Sequence, residues 1–242
     1  MKTKDRSLTL DLPTAKHRSG LDRTRQIAPQ IVEYLRERIL ALELAPGTAL
    51  SRAELQKQFG LSQTPVRDAL MRLEEEGLVT VYPQYATLVS KIDINLARQT
   101  HFMRRAVEQE AVFNLAERAT ARHIADRLRS ANAKLKTLVA SNEYADFLVL
   151  DRAFHFIIYE EAGLEHIWPI IRRHSGHIDR LRRLNLLNVG TQRVVDAHDA
   201  IIEGIAAGDP VGAEKAMKIH LSGTLSMIND IVERYPDYID MG

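Results

Sequence analysis

The chain has 242 residues, 45% of them hydrophobic, and no cysteine. Disulfides and thiolate metal sites are therefore excluded, and any bound metal must be held by His, Asp or Glu. The formal net charge of +1, with 13 Lys and Arg against 11 Asp and Glu over residues 1–90, makes no case for nucleic acid by itself, so such a function would have to rest on a motif.

Residues 1–22 carry scattered charges and only the brief apolar stretch Leu8-Thr9-Leu10, too short for a signal-peptide core. They read as a disordered tail. No segment approaches the roughly 20 apolar residues of a membrane span, so a cytoplasmic protein with no membrane partner is expected. Ile27, Ile31, Leu35 and Ile39 recur every four positions and predict an amphipathic helix. Pro46-Gly47 marks a turn, and Ser51-Arg52-Ala53-Glu54 is a capping box that opens a short helix ending at Gly60. A third helix runs from about Ser62 to Glu76, with Pro65 tolerated in its first turn and Val66, Leu70 and Leu73 on its inward face. Leu78–Tyr82 and Ala86–Ser90 are rich in strand formers and read as a hairpin around Pro83-Gln84-Tyr85. Lys91-Ile92-Asp93 then opens a linker. From Asn95 onward the periodicity is helical with no further strand candidate, predicting helices near 95–118, 121–140, 143–161, 164–187, 191–207 and 210–234.

Helix, turn, short helix, tight turn, helix and hairpin is the order of a winged helix-turn-helix. The expected architecture is mainly α: a tail over 1–22, a winged helix-turn-helix over 23–90, a linker over 91–94, an antiparallel all-α bundle over 95–234 and a second tail over 235–242. At Pro46-Gly47-Thr48-Ala49-Leu50, Leu61 through Leu70, Arg72-Leu73-Glu74 and Glu76-Gly77-Leu78-Val79, the first unit resembles the GntR superfamily of bacterial regulators. The resemblance implies binding to a double-stranded DNA operator. Ser62, Gln63 and Thr64 would then lie at a helix N-terminus, where backbone N–H groups and the helix dipole attract phosphate. Arg67, one turn on, would make the bidentate contact to guanine, while Arg52 and Arg72 would hold phosphates. Two positions depart from the family pattern. Tyr85-Ala86 stands where the wing usually carries a basic residue and glycine, and Gln63, which pairs best with adenine, stands where arginine is common.

In the second unit three of the nine histidines share a helix face with apolar neighbours: His155 with Phe147 and Ile158, His198 with Val194 and Ile201, His220 with Met217 and Met227. Asp151 lies one turn before His155. A single core-facing histidine is more often a hydrogen-bonded structural residue, but three imidazoles beside an ionised carboxylate are costly to bury unpaired, and one divalent cation would relieve them. Zinc, nickel, manganese and iron all suit this donor set. Asp151 through His155, His198 and Met217 through Leu221 resemble the motifs of the FCD ligand-binding domain in the FadR branch of these regulators, which implies that Asp151, His155, His198 and His220 ligate one metal. Arg104-Arg105-Ala106-Val107-Glu108 is similar to that family's Arg-x-x-Leu-Glu helix and implies that Arg104 binds a small carboxylate effector, the alternative being an ion pair with Glu108. The basic run Arg172 to Arg183, with His174 and His177, reads as a solvated or subunit-facing helix, the alternative being that one or more of its residues line an acidic-ligand pocket.

The resulting expectation is a homodimeric, ligand-responsive transcriptional regulator, with repressor preferred to activator, and not an enzyme. A regulator whose signal is the metal itself, a permanent structural ion, or a metal-dependent enzyme are the other readings of the same cluster.

Overall fold

A computed structural model describes residues 21–83, 85–141 and 143–241. The predicted tail lies outside the described residues as far as residue 20; Asp22 is bound by its backbone N–H to Gln30 Oε1 at 2.8 Å. The chain divides into two compact units between Lys91 and Ile92.

The first unit is built on α1 (Ile27–Leu40), α2 (Arg52–Phe59) and α3 (Gln63–Glu75), followed by β1 (Val79–Tyr82) and β2 (Ala86–Val89). Ile31, Leu35 and Ile39 on α1 meet Val66, Leu70 and Leu73 on α3, all essentially inaccessible to solvent. Ser51 Oγ accepts from Glu54 N at 3.3 Å, and Gly60, at φ +65°, closes α2 in the left-handed region that a residue with a Cβ rarely adopts. The segment after Pro46 has a structural reason of its own. Gly47 sits at φ +84°, and Gly47 N, Leu50 N and Val89 N bond to Val89, Thr87 and Thr48 carbonyls, so residues 47–50 run along β2 as a third edge of the wing. β1 and β2 pair antiparallel from Val79 opposite Val89 to Tyr82 opposite Ala86. Glu74 Oε1 accepts from Val81 N at 3.0 Å and ties the wing to the end of α3.

The second unit begins with β3 (Ile92–Asp93) and continues through α4 (Ile94–Ala116), α5 (Ala121–Lys136), α6 (Tyr144–Ala162), α7 (Trp168–His174), α8 (Gly176–Val189), α9 (Gln192–Ala206), α10 (Pro210–Ser222), α11 (Ile228–Arg234) and β4 (Ile239–Asp240). The long helix α4 is central and packs on α6, α8, α9 and α10. Its inward face carries Thr100, Arg104 and Glu108 before turning apolar at Ala111, Val112 and Leu115. The buried polar groups of α4 therefore lie between Thr100 and Glu108, with Ile94 and Ala97 before them and the apolar run from Ala111 after.

Three expectations need correction. The single helix predicted over 164–187 is two, because Thr100 Oγ1 takes the His174 carbonyl and Ser175 Oγ the Ile171 carbonyl, drawing both away from the regular helical ladder. The helix predicted over 210–234 likewise breaks after Ser222 and resumes at Ile228. A strand does follow Asn95: β4 pairs in parallel with β3, Ile92 opposite Ile239 and Asp93 opposite Asp240. At two residues it is too short to leave an alternating pattern in the sequence.

Candidate functional site

On α3 the buried face of Val66, Ala69, Leu70 and Leu73 leaves two exposed columns, Gln63 with Arg67 and Thr64 with Asp68 and Arg72. Ser62 is the exposed N-cap and its side chain makes no capping bond. Arg52 is exposed as the first residue of α2. The six residues singled out for DNA thus all face solvent around the ends of α2 and α3. Asp68 was not among them, because an acid runs against a polyanionic partner, yet its carboxylate can accept from the cytosine amino group. At the hairpin tip Tyr85 is 87% exposed.

In the second unit Asp151 and His155 on α6, His198 on α9 and His220 on α10 bring one ligand atom each within 4.8 Å of one another. The first three are buried and His220 is half-buried. His198 Nε2 lies 3.6 Å from Asp151 Oδ1, and His155 Nε2 lies 3.9 Å from Asp151 Oδ2 and 3.1 Å from His220 Nε2. Ligands about 2.1 Å from a shared cation stand about 3 Å apart when adjacent and about 4.2 Å when opposite, so these separations suit one ion.

The outer partners fix which ring nitrogens are free. Glu108 Oε2, an acceptor only, lies 2.6 Å from His155 Nδ1, which must donate to it and leaves the Nε2 lone pair facing the cluster. Asn132 Nδ2 donates to Val195 O and Asp199 Oδ1, so Asn132 Oδ1, 3.2 Å from His198 Nδ1, accepts from that ring and again leaves Nε2 free. Phe154 stacks on the His198 ring at 3.8 Å between centroids and holds its plane. Asp151 Oδ2 accepts from Arg182 at 2.6 Å, whereas Asp151 Oδ1 and His198 Nε2 are buried without a hydrogen-bond partner among the described residues. Two orphaned acceptors beside two further imidazole nitrogens are what a cation satisfies and what a packed polar core avoids. The residues fit a divalent metal.

The Asp151 charge is stabilised by Arg182 outside the cluster and by the imidazoles within it. Burial alone would raise the Asp151 pKa, but Arg182 and the three imidazoles hold it well below the usual carboxylate range. Burial pushes His198 down to about 3 against the opposing pull of Asp151, and it pushes His220 well down, reinforced by His198 and His155. The neutral, ligating forms of these rings are thus favoured at neutral pH.

Arg104 is buried and donates through Nε to Glu108 Oε1 at 2.8 Å. Burial disfavours both charges, yet each overcomes it through the other: Glu108 is lowered to about 2 by Arg104 and then His155, and Arg104 is raised above its ordinary value. Tyr159 Oη also donates to Glu108 Oε1, at 3.2 Å. One carboxylate therefore joins Arg104 to the His155 ring. A cavity of about 320 Å³ opens beside this assembly, lined by Arg104, Arg182, His220, His101, Asn185 and Thr224 among others. The basic run after Arg172 is not a solvated face: His177, Asp179 and Arg180 are buried, Arg182 bonds to Asp151, and only part of the run, such as Arg173 and His174, is exposed. Asn132 and Arg182 carried readable signals, a polar residue in the apolar stripe of α5 and an arginine one turn from buried Ile178, but neither belongs to a metal-ligand spacing.

A hairpin wing hung on a three-helix unit is the architecture of a winged helix-turn-helix, here followed by a helical unit with a polar centre. The model for bacterial regulatory proteins of the gntR family matches residues 27–89, and that for the FCD domain matches residues 99–223. An HTH-type transcriptional regulator in an unstable DNA locus of Streptomyces ambofaciens is 35% identical over 207 residues, covering 84% of this chain and 85% of that protein. The HTH-type transcriptional repressor RspR of Escherichia coli K12 is 27% identical over 219 residues, covering 90% and 96%. The chain belongs to the gntR family and carries an FCD domain. The fold is that of E. coli McbR/YncC, with a TM-score of 0.70 at 19% identity over 86% of this chain and 98% of that one. A gntR regulator from Rhodococcus sp. RHA1 superposes with a TM-score of 0.69 at 18% identity, covering 84% and 97%. No helix among the described residues is long and apolar enough to cross a membrane.

Proposed function

We propose that this transcriptional regulator is a cytoplasmic homodimeric repressor whose helical unit, residues 95–234, holds one divalent metal on Asp151, His155, His198 and His220 and releases DNA when a small carboxylate enters the adjoining cavity. The observation that carries the metal is the pair of orphaned buried acceptors, Asp151 Oδ1 and His198 Nε2, beside the His155 and His220 imidazoles, with the His155 and His198 tautomers held by Glu108 and Asn132. Arg104 and Arg182 support the anion: both guanidiniums line the cavity beside His220, and a carboxylate can share their donors with Glu108 and Asp151. Residues 23–90 bind the operator, with Arg67 reading guanine, Gln63 adenine, and Ser62, Thr64, Arg52 and Arg72 the phosphates. RspR is named a repressor, which favours that sign of control.

The test is operator affinity and thermal midpoint of chelator-stripped protein, protein loaded in turn with zinc, nickel, manganese or iron, and loaded protein with a panel of small carboxylates. A native-state ligand raises the midpoint by mass action. Operator release by an acid only in the loaded protein is the expected result. Release by metal alone would make the ion the signal, and an Asp151→Ala, His155→Ala double variant that still binds metal would sink the assignment.

A further inference from the structure

The junction between the two units is short. Ser90 N donates to Leu78 O at 3.0 Å inside the first unit, and Ile92 pairs with Ile239 inside the second, so Lys91 alone lies between these two bonded positions. Ile92 and Asp93 are thus where the second unit takes hold of the chain arriving from the first. Asp93 is fixed twice. Its Oδ1 accepts from Leu96 N at 2.9 Å as the N-cap of α4, and its own N–H donates to His177 Nδ1 at 2.9 Å.

A backbone N–H and a guanidinium can only donate, and Arg180 Nη2 stands 3.2 Å from the same Nδ1, so this nitrogen carries the lone pair and Nε2 the proton. Burial and then Arg180 hold the His177 pKa down to about 4, which keeps the ring in this neutral form near pH 7. His177 Nε2 is buried with no hydrogen-bond partner among the described residues. A buried donor left unpaired is unfavourable, and a leucine at this position would avoid it. The ring is accounted for by what its Nδ1 holds.

His177 opens α8, and a few residues further along the same helix Arg182 donates to Asp151 Oδ2 at 2.6 Å. Residues 175–181 between these contacts are all buried. A helix segment enclosed in this way does not move at one residue without moving at its neighbours, because protein interiors are close-packed. We propose that α8 couples the Asp151 cluster to the junction, with Arg182 as the input and His177 as the positioning residue that sets Asp93 and the β3–β4 pair. This rests on the metal reading given above. A cation on Asp151 competes with Arg182 for the carboxylate, Arg182 passes the change to α8, and the His177–Asp93 bond reports it where the chain from the winged unit enters.

The experiment measures amide exchange of the full chain, chelator-stripped and saturated with zinc, with zinc binding followed separately by titration calorimetry. Zinc is expected to change exchange at residues 92–96 by about 10-fold or more. In His177→Leu the ratio between the two states at those residues is expected to fall close to one, while zinc affinity changes by less than about threefold. His177→Gln, whose side-chain oxygen can accept from Asp93 N, is expected to restore most of the response. Arg182→Met, at a zinc concentration raised until it is saturated, is expected to lose the response with Asp93 still bonded to His177. That variant also carries the comparison if His177→Leu does not fold. Any general stabilisation by zinc acts on wild type and variants alike and cancels between them. A histidine that only supports the fold would lower protection in both states and leave the zinc-induced ratio at 92–96 unchanged, which would overturn the proposal. Zinc bound by the wild type with exchange at 92–96 unaltered would likewise overturn it and leave the metal reading standing. No zinc bound at all would overturn both.

Discussion

The side-chain nitrogen of Asn132 is committed to Val195 O and Asp199 Oδ1, so its oxygen is what remains to hold the His198 Nδ1 proton. Asn132→Leu keeps the volume but strands that N–H and frees the ring to turn. Metal affinity, measured by competition with a chelating chromophore, should fall about 10- to 100-fold, the usual cost of losing an outer-shell partner. An unchanged affinity would mean that Phe154 stacking alone orients the ring. On the DNA side two arginines separate by kind of contact. Arg67→Ala should cost about 1–3 kcal/mol and relax preference at one guanine, whereas Arg52→Ala should weaken all sequences alike and lower the salt dependence of binding by about one unit. The three histidines stood out in the sequence on apolar helix faces, and the quartet as a set was legible through its resemblance to the FCD motifs. Glu108 was legible only as a partner of Arg104. That it also fixes His155 depends on α4 and α6 crossing, which no local spacing records.

At the scale of elements, the first unit could be read almost whole, since its helices and hairpin are each bounded by a cap, a glycine or a turn close in sequence. The second unit was less legible where tertiary contacts decide. The break between α7 and α8 is made by Thr100 from α4, some seventy residues earlier, and the β3–β4 pair joins the two ends of the unit. That pair has a mechanical consequence. Ile92 and Ile239 are buried against each other's strands, and Asp93 N donates to His177 Nδ1 at 2.9 Å, so the C-terminal segment and α8 together hold the start of α4. Removing residues 236–242 should expose Ile92 and speed amide exchange at residues 92–96 by 10-fold or more, for a loss of about 1.5–3 kcal/mol of buried isoleucine. Exchange in α5, α6 and α9 should stay as it is. Equal acceleration throughout would show the strap to be part of the global core instead.

For the whole molecule, histidine distribution sets the response to acid. All histidines of the described residues lie in the second unit; His17, the other one, falls outside them. His177 is held down to about 4, mainly by burial and then by Arg180, and His198 and His220 are lowered in the same direction. Each is neutral when folded and takes up a proton when unfolded once the pH drops below about 6.5. Their contribution is therefore complete above that pH and is lost progressively as pH falls towards the folded-state values, at up to about 1.4 kcal/mol per pH unit for each ring. Glu108 and Asp151, with lowered pKa values, add to the loss only below about pH 4.5. Among its described residues the first unit has no histidine, and Asp22, whose carboxyl is lowered by its bonds from Thr24, is exposed and matters only in strong acid. Calorimetry of the metal-free chain between pH 8 and pH 5 should accordingly show the helical unit's transition moving down below about pH 6.5 while the winged unit's stays nearly fixed. His177→Gln, which retains an acceptor for Asp93 N, should flatten the fall by one ring's share. Metal should raise the helical unit's transition at pH 7–8 and lose its effect on acidification, because protons and the cation compete for the same nitrogens. A single transition that shifts as one at every pH would mean that the two units unfold together and that the acid response is not confined to the unit holding the histidines.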